Sequence, residues 1–97
     1  MERLRITKVL ETAPSEEKLT VCGWVRTFRN DRFLAVNDGS TLRNLQLVVQ
    51  KEDFEDEVLK QLNTGAAIRA VGVLVESQGG GQTVELQVEE LEVLGGA

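Results

Sequence analysis

Residues 19–29 form the longest run of strand-favouring side chains in the chain, Leu19-Thr20-Val21-Cys22-Gly23-Trp24-Val25-Arg26-Thr27-Phe28-Arg29. Branched and aromatic residues favour a pleated, half-buried strand, and a glycine inside such a run indicates a bend or the close approach of another backbone. We therefore predict one long strand, bent at Gly23, as the first strand of a barrel.

Four more strands and one helix are predicted further along the chain. The turn Asn37-Asp38-Gly39-Ser40 separates two short strands, because its glycine tolerates the positive φ that tight turns require. Apolar residues then follow at helical spacing and end at the stop Asn63-Thr64-Gly65. The predicted strands are 19–29, 32–37, 45–50, 66–76 and 83–94, and the predicted helix is 52–63.

The order of three strands, a helix and two strands is typical of the OB-fold, an all-β, five-stranded Greek-key barrel with one short helix between strands 3 and 4. A chain of 97 residues is long enough to form one hydrophobic core only, so we predict that residues 1–97 form a single domain. Ahead of the first strand, Leu4, Ile6, Val9 and Leu10 predict a short leading strand or turn. The glycine-rich tip at 78–82 is expected to be mobile.

The charge of the chain is uneven. The net charge is −5, but residues 1–51 carry nine Lys or Arg against six acids, and residues 52–97 carry two against ten. A basic surface on the first half is compatible with phosphate binding, and acidic domains that bind no RNA show the same asymmetry. Charge therefore does not decide between a nucleic-acid partner and a protein partner.

Composition excludes several classes of function. The chain has no histidine and a single cysteine, which removes histidine-based catalysis, the usual zinc sites and an internal disulfide. No apolar run is long enough for a membrane span, and the amino terminus lacks a secretory signal, so we expect a cytoplasmic protein without a membrane partner. We predict no catalytic residues, no metal ligands and no cofactor in this domain.

Alternation along the strands assigns side chains to the two faces of the sheet, because successive residues point to opposite sides. The inward set is Leu34, Val36, Leu45, Leu47, Val49, Val84, Leu86 and Val88. The outward set is Phe33, Asn37, Gln46, Val48, Glu85 and Gln87.

Three outward residues have the chemistry to bind an unpaired base. An exposed Phe33 could stack on a base, although it could instead pack beneath the leader or the helix. The amide of Gln46 can accept from uracil N3–H and donate to a uracil carbonyl oxygen, and an ionised Glu85 can accept from ring N–H groups. Taken alone, each of these two is more commonly a solvated strand residue.

Four arginines surround the first hairpin and its neighbour, where guanidinium groups could pair with phosphates or stack on bases. They are Arg26, Arg29, Arg32 and Arg43. Trp24, in the middle of the longest apolar strand, predicts core or barrel-closing packing, and Cys22 predicts a small buried hydrophobic residue.

Three segments together resemble the anticodon-binding domain of the class II synthetases for aspartate, asparagine and lysine, and the resemblance extends over nearly the whole chain. The pairing of Gly23-Trp24-Val25-Arg26-Thr27 with Asn37-Asp38-Gly39-Ser40 is most similar to the bacterial asparaginyl members. The aspartyl branch and a protein-interaction OB domain are the alternatives. The three segments are 21–29, 33–40 and 45–49.

The resemblance implies a tRNA partner. In that family the domain grips the anticodon loop, whose central base is uracil, so Phe33 would stack on this base and Gln46 would bond its edge. The family's hairpin arginine falls on Arg29 and its acidic contact on Glu85, and Arg26 completes the predicted RNA-binding set. The segment 30–32 is shorter than the loop of many relatives, so contacts from a longer loop are not carried over.

The same resemblance implies a longer parent protein. The parent would be a cytoplasmic homodimer that aminoacylates tRNA with ATP and Mg²⁺. Because the sequence stops at Ala97 without the class II catalytic motifs, we expect an excised domain.

Overall fold

A computed structural model describes residues 3–12, 14, 17–30, 32–76 and 84–95. The tip predicted at 78–82 lies outside these residues. The strands are β1 (Arg3–Leu4), β2 (Lys18–Arg29), β3 (Phe33–Asn37), β4 (Leu45–Val48), β5 (Ala67–Glu76) and β6 (Val84–Gly95). The helices are α1 (Ile6–Leu10) and α2 (Asp56–Leu59), and Lys51–Asp53 forms a 3₁₀ turn.

The five predicted strands are confirmed as β2 to β6, and they pair into a closed ring. β2 pairs antiparallel with both β3 and β5, β3 pairs with β4, and β5 pairs with β6. A parallel contact between β4 and β6 completes the ring in the order β2-β3-β4-β6-β5. This is the strand order of the OB-fold, and β1 adds two residues beside β2.

The inside of the ring is the hydrophobic core. All eight side chains predicted to point inward are buried, at 5% exposure or less. The core also contains Val21 and Val25 of β2 and Ile68 and Leu74 of β5. Burial of apolar surface from every strand therefore holds the ring closed.

Two glycines permit the close approach of neighbouring strands. A Cβ at Gly23 would lie 2.5 Å from the carbonyl oxygen of Asn37, and one at Gly72 would lie 2.0 Å from that of Gln87. The pairing of β2 with β5 ends at Trp24, the residue after Gly23, and the pairing of β2 with β3 begins there. Both glycines are therefore sites where a neighbouring backbone approaches closely, as predicted for Gly23.

The leader contains a helix that the sequence analysis did not predict. β1 agrees with the predicted leading strand, but residues 6–10 form α1, which buries Ile6, Val9 and Leu10. Their spacing is helical, and five residues are too few for the pattern to stand out from a turn.

The turn after β3 caps this short helix. Asp38 Oδ2 accepts a 2.9 Å hydrogen bond from the backbone N–H of Ile6, and Ser40 Oγ accepts a 3.0 Å bond from that of Thr7. Arg5, at the N-cap position, makes no side-chain cap bond. The first backbone N–H groups of a helix have no partner within the helix, and here residues more than 30 positions away in sequence accept their hydrogen bonds.

The predicted helix 52–63 is wrong in length, although its position between the third and fourth ring strands is correct. Helical backbone is interrupted at Glu55, which is extended and precedes the single turn of α2. A continuous helix would place Glu52 beside Asp56 and Asp53 beside Glu57, and like charges at this spacing repel. None of the helices in the described ranges is long and apolar enough to cross a membrane.

Candidate nucleic-acid interface

Strand register aligns the outward side chains in rows across the sheet. Arg29, Phe33, Val48 and Gln87 are successive partners on β2, β3, β4 and β6. Since residues paired across neighbouring strands share a face, this row lies on the outer surface of the ring. A second row on the same face joins Thr27, Ala35 and Gln46.

Phe33 lies in an open depression of about 520 Å³ on this face. Its ring is half-buried, so the alternative of a phenylalanine sealed beneath the leader or the helix is not what the structure shows. The guanidinium carbon of Arg32 is 5.7 Å from the ring centroid, within the range of a cation–π contact. The lining residues are Arg29, Asn30, Arg32, Phe33, Gln46, Val48, Glu85 and Gln87.

Gln46 and Glu85 form a bonded pair in this depression. Nε2 of Gln46 donates a 2.7 Å hydrogen bond to Oε2 of Glu85. An ionised carboxylate only accepts hydrogen bonds, so Glu85 determines which end of the amide is the nitrogen. The pair therefore presents a fixed polar edge next to the aromatic ring.

Two of the residues that line this depression are less exposed than predicted. Glu85 and Val48 are on the outer face, as alternation predicts, but their exposure is 6% and 5%. Glu85 is bonded to Gln46 of the neighbouring strand, and Val48 has register partners on both sides, Phe33 and Gln87. Alternation assigns a face without assigning accessibility.

The structure separates the two predicted arginines. Arg29 lines the depression with Phe33, but Arg26 does not. Arg26 sits at a bulge, where the register between β2 and β3 shifts between Val25 and Thr27. A bulge changes the direction of a side chain, and here it directs Arg26 to a second depression.

Trp24 is the main correction to the predicted core. Its side chain is 38% exposed, because its register partner on β3 is the outward residue Asn37. Cys22 is on the same outer side of β2 and is only partly buried. Alternation counted back from the buried Val25 would have placed both Trp24 and Cys22 on the outer face.

Asn37 is outward but buried, at 8% exposure. Its Nδ2 lies within 3.1 Å of the carbonyl oxygens of Thr41 and Arg43 and 3.0 Å from Oδ1 of Asn44. Its Oδ1 accepts a 2.7 Å bond from the N–H of Gly39. The predicted surface residue is therefore the internal anchor of the loop 38–44.

One face of the sheet carries three features that suit an unpaired nucleotide. The half-exposed aromatic ring can stack on a base, the amide–carboxylate pair can bond a base edge, and the arginines can pair with phosphates. No acidic or thiol side chains in the described ranges group into a metal site. Fold and site together define a nucleic-acid-binding OB domain. The tRNA anti-codon family, described as an OB-fold nucleic acid binding domain, matches residues 19–94, and the chain belongs to this family.

Asparagine–tRNA ligases are similar over the whole chain. The chain is 46% identical to the ligase of Bacteroides fragilis over 101 residues and 47% identical to that of a Nostoc species over 102 residues. These alignments cover 98% and 100% of the chain. The chain spans 22% of the length of each relative.

A solved structure has the same fold. The asparaginyl-tRNA synthetase of Pyrococcus horikoshii, in complex with asparaginyl-adenylate, superposes with a TM-score of 0.80 at 25% identity. The match covers 100% of this chain and 23% of that protein. The predicted OB-fold and the predicted family are confirmed.

Proposed function

We propose that this chain is the anticodon-binding domain of an asparagine–tRNA ligase, and that it holds an unpaired anticodon base against Phe33. The supporting observation is the half-exposed ring of Phe33 beside the Gln46–Glu85 pair in one depression. Stacking on an aromatic ring contributes roughly 1–3 kcal/mol per base and is available to any base. Phe33 therefore supplies affinity, and the polar pair supplies selectivity.

Gln46 is the residue that distinguishes the base. Glu85 holds its amide nitrogen, so the carbonyl oxygen is the end that turns away from the carboxylate. In the proposal this oxygen accepts from the N3–H of the central uracil. Cytosine has no hydrogen at that ring nitrogen, so replacing uracil with cytosine leaves two acceptors facing each other.

Arg29 and Arg32 supply positive charge at the rim of the depression. Neither is ion-paired with a carboxylate among the described residues. The guanidinium of Arg29 is therefore available to a phosphate that flanks the stacked base, while that of Arg32 lies over the ring of Phe33. Because the whole chain is acidic, the proposal expects weak binding that falls with added salt.

The experiment is a fluorescence anisotropy titration with a labelled anticodon stem-loop. Phe33→Ala is expected to weaken binding about 5- to 150-fold, the equivalent of roughly 1–3 kcal/mol of stacking. Phe33→Leu retains the apolar volume without the aromatic face and is expected to weaken it nearly as much, while Phe33→Trp retains affinity. The control is Arg69→Ala, which removes an exposed arginine from β5, outside the depression.

Unchanged affinity in a folded Phe33→Ala variant would overturn the stacking role. The rival function is a protein-interaction domain, which the acidic second half of the chain favours. In that case the stem-loop would not bind, and NMR shifts induced by a protein partner would concentrate on the second half of the chain rather than on Phe33, Gln46 and Glu85.

The longer protein completes the proposal. By its relatives it would join asparagine to tRNA with ATP and Mg²⁺, as a cytoplasmic homodimer, and this domain would contribute selection of the tRNA. Aminoacylation assays of the full gene product, with wild-type Phe33 and with Phe33→Ala, test this role. The expected result is a raised KM for tRNA with ATP–pyrophosphate exchange unchanged.

A further inference from the structure

A second aromatic ring lies open on the same face as Phe33. Trp24 borders a depression of about 450 Å³, separate from the one that contains Phe33. We propose that Trp24 is a second stacking platform, which holds another unpaired base of the same RNA strand. This inference rests on the proposed function. The depression is lined by Trp24, Arg26, Asn37, Gly39, Thr41, Leu42 and Asn44.

The two platforms lie on one continuous surface. Trp24 pairs with Asn37, four positions along β3 from Phe33, which corresponds to about 13 Å at the rise of a strand. The outward residue between them on β3 is Ala35, whose methyl group forms no barrier. An OB-fold holds about 4–16 nucleotides of single strand, so one strand can reach both rings.

Trp24 is exposed although its neighbours Val21 and Val25 on the same strand are buried. Its exposure is 38%, and the side chain of Leu42, across the depression, is fully exposed. Large apolar side chains that share an open depression are typical of binding surfaces. The indole ring of Trp24 is therefore accessible to a base that enters the depression.

The loop that borders Trp24 is held in a defined position. Asn37 fixes it through the contacts to Gly39, Thr41 and Arg43 described above. A Cβ at Gly39 would lie 3.4 Å from Cη2 of Trp24, so the turn abuts the six-membered ring. A ring held from one side loses little freedom on binding, which favours stacking.

The charge of this depression suits a phosphate backbone. Among the described residues, Arg26 is the only charged one in its lining, and none of the lining residues is a carboxylate. The bulge in β2 places this guanidinium beside Trp24 instead of beside Phe33. Each ring therefore has an arginine of β2 next to it, Arg26 for Trp24 and Arg29 for Phe33.

Tryptophan fluorescence reports on this site alone, because Trp24 is the only tryptophan in the chain. A stem-loop that saturates the domain is expected to quench its emission, since stacking brings a base into contact with the indole. Stem-loops with a single abasic nucleotide, moved along the loop, identify the base responsible. We expect one abasic position to abolish quenching and a different one to reproduce the effect of Phe33→Ala.

Affinity provides a second measurement. Trp24→Ala is expected to weaken stem-loop binding about 5- to 150-fold, and Trp24→Phe is expected to restore part of it. Leu94→Ala is the matched control, because Leu94 is an exposed apolar residue of β6 outside the depression. Denaturation in urea verifies that each variant is folded.

The outcomes separate this inference from the proposed function. Binding that depends on Phe33, with unchanged Trp24 emission and unchanged affinity in Trp24→Ala, overturns the second platform alone. Absence of RNA binding overturns both. If Trp24 in the full gene product is already shielded from acrylamide without RNA, the ring packs against the rest of that protein, and the second platform is likewise overturned.

Discussion

The side-chain amide of Gln46 donates a 2.7 Å hydrogen bond to the carboxylate of Glu85, which is 39 residues away in sequence. The two residues lie on β4 and β6, the one parallel pair in the ring. Closure of the ring therefore creates the polar edge beside Phe33, and neither strand carries it alone.

We expect this pair to be energetically coupled. Glu85 is buried, and hydrogen bonds to charged groups contribute about 1.5–3 kcal/mol. Urea denaturation of Gln46→Ala, Glu85→Ala and the double variant is expected to give a coupling free energy of about 1–3 kcal/mol. Effects that simply add would show that the bond contributes nothing to stability. Glu85→Gln, which can still accept from Gln46, is expected to be the mildest change.

Gly72 is expected to be indispensable for the pairing of β5 with β6. A Cβ there would lie 2.0 Å from the carbonyl oxygen of Gln87, so backbone must move to accommodate Gly72→Ala. We expect the free energy of unfolding to fall by about 3 kcal/mol or more. Gly95→Ala is the control, because no described atom other than those of its chain neighbours lies within 4 Å of the added methyl, and it is expected to change stability by less than about 0.5 kcal/mol.

Asp38 is expected to make the stability of the leader depend on pH. Partial burial raises the pKa of Asp38, but hydrogen bonds from Ser40 and from the backbone N–H of Ile6 outweigh it and hold the pKa below its ordinary value of 3.8. The unfolded state therefore takes up the proton first on acidification. The stabilisation is complete above about pH 5 and is lost as the pH falls through the lowered pKa.

Asp38→Asn is expected to lower stability at neutral pH by about 0.5–2 kcal/mol, the usual contribution of a helix cap. It is also expected to flatten the loss of stability in acid, measured by urea denaturation across the acid range. Asp53→Asn, at an exposed carboxylate in the 3₁₀ turn, is the comparison. An acid profile for Asp38→Asn identical to that of the wild type would contradict the capping role.

Arg29 is expected to govern the salt dependence of RNA binding. Each phosphate contact to a single strand contributes about 0.7 to the slope of log K against log salt. Arg29→Ala is expected to reduce this slope by about that amount in anisotropy titrations, and Arg69→Ala is expected to leave it unchanged. If both variants keep the wild-type slope, Arg29 contacts no phosphate.

Local sequence was sufficient for the strands and for the faces of the alternating side chains on β3, β4 and β6. Alternation depends only on the pleat of a strand, so Phe33, Gln46 and Glu85 could be assigned to one face from the residues alone. The amide–carboxylate bond could not be predicted, because it depends on the register between β4 and β6, which the core and the connections set together.

Exposure was decided by the tertiary structure. Trp24 is partly exposed on the outer face beside its register partner Asn37, and Glu85 is buried on the same face, where it is bonded to Gln46. The bulge at Arg26 and the capping of α1 by Asp38 likewise depend on contacts between distant segments. The sequence by itself determined which residues form strands and, where alternation is regular on β3, β4 and β6, which way their side chains point, since that is local backbone geometry. Only the closed ring decided which of the outward side chains solvent, or a base, can reach, because accessibility depends on neighbours supplied by other strands.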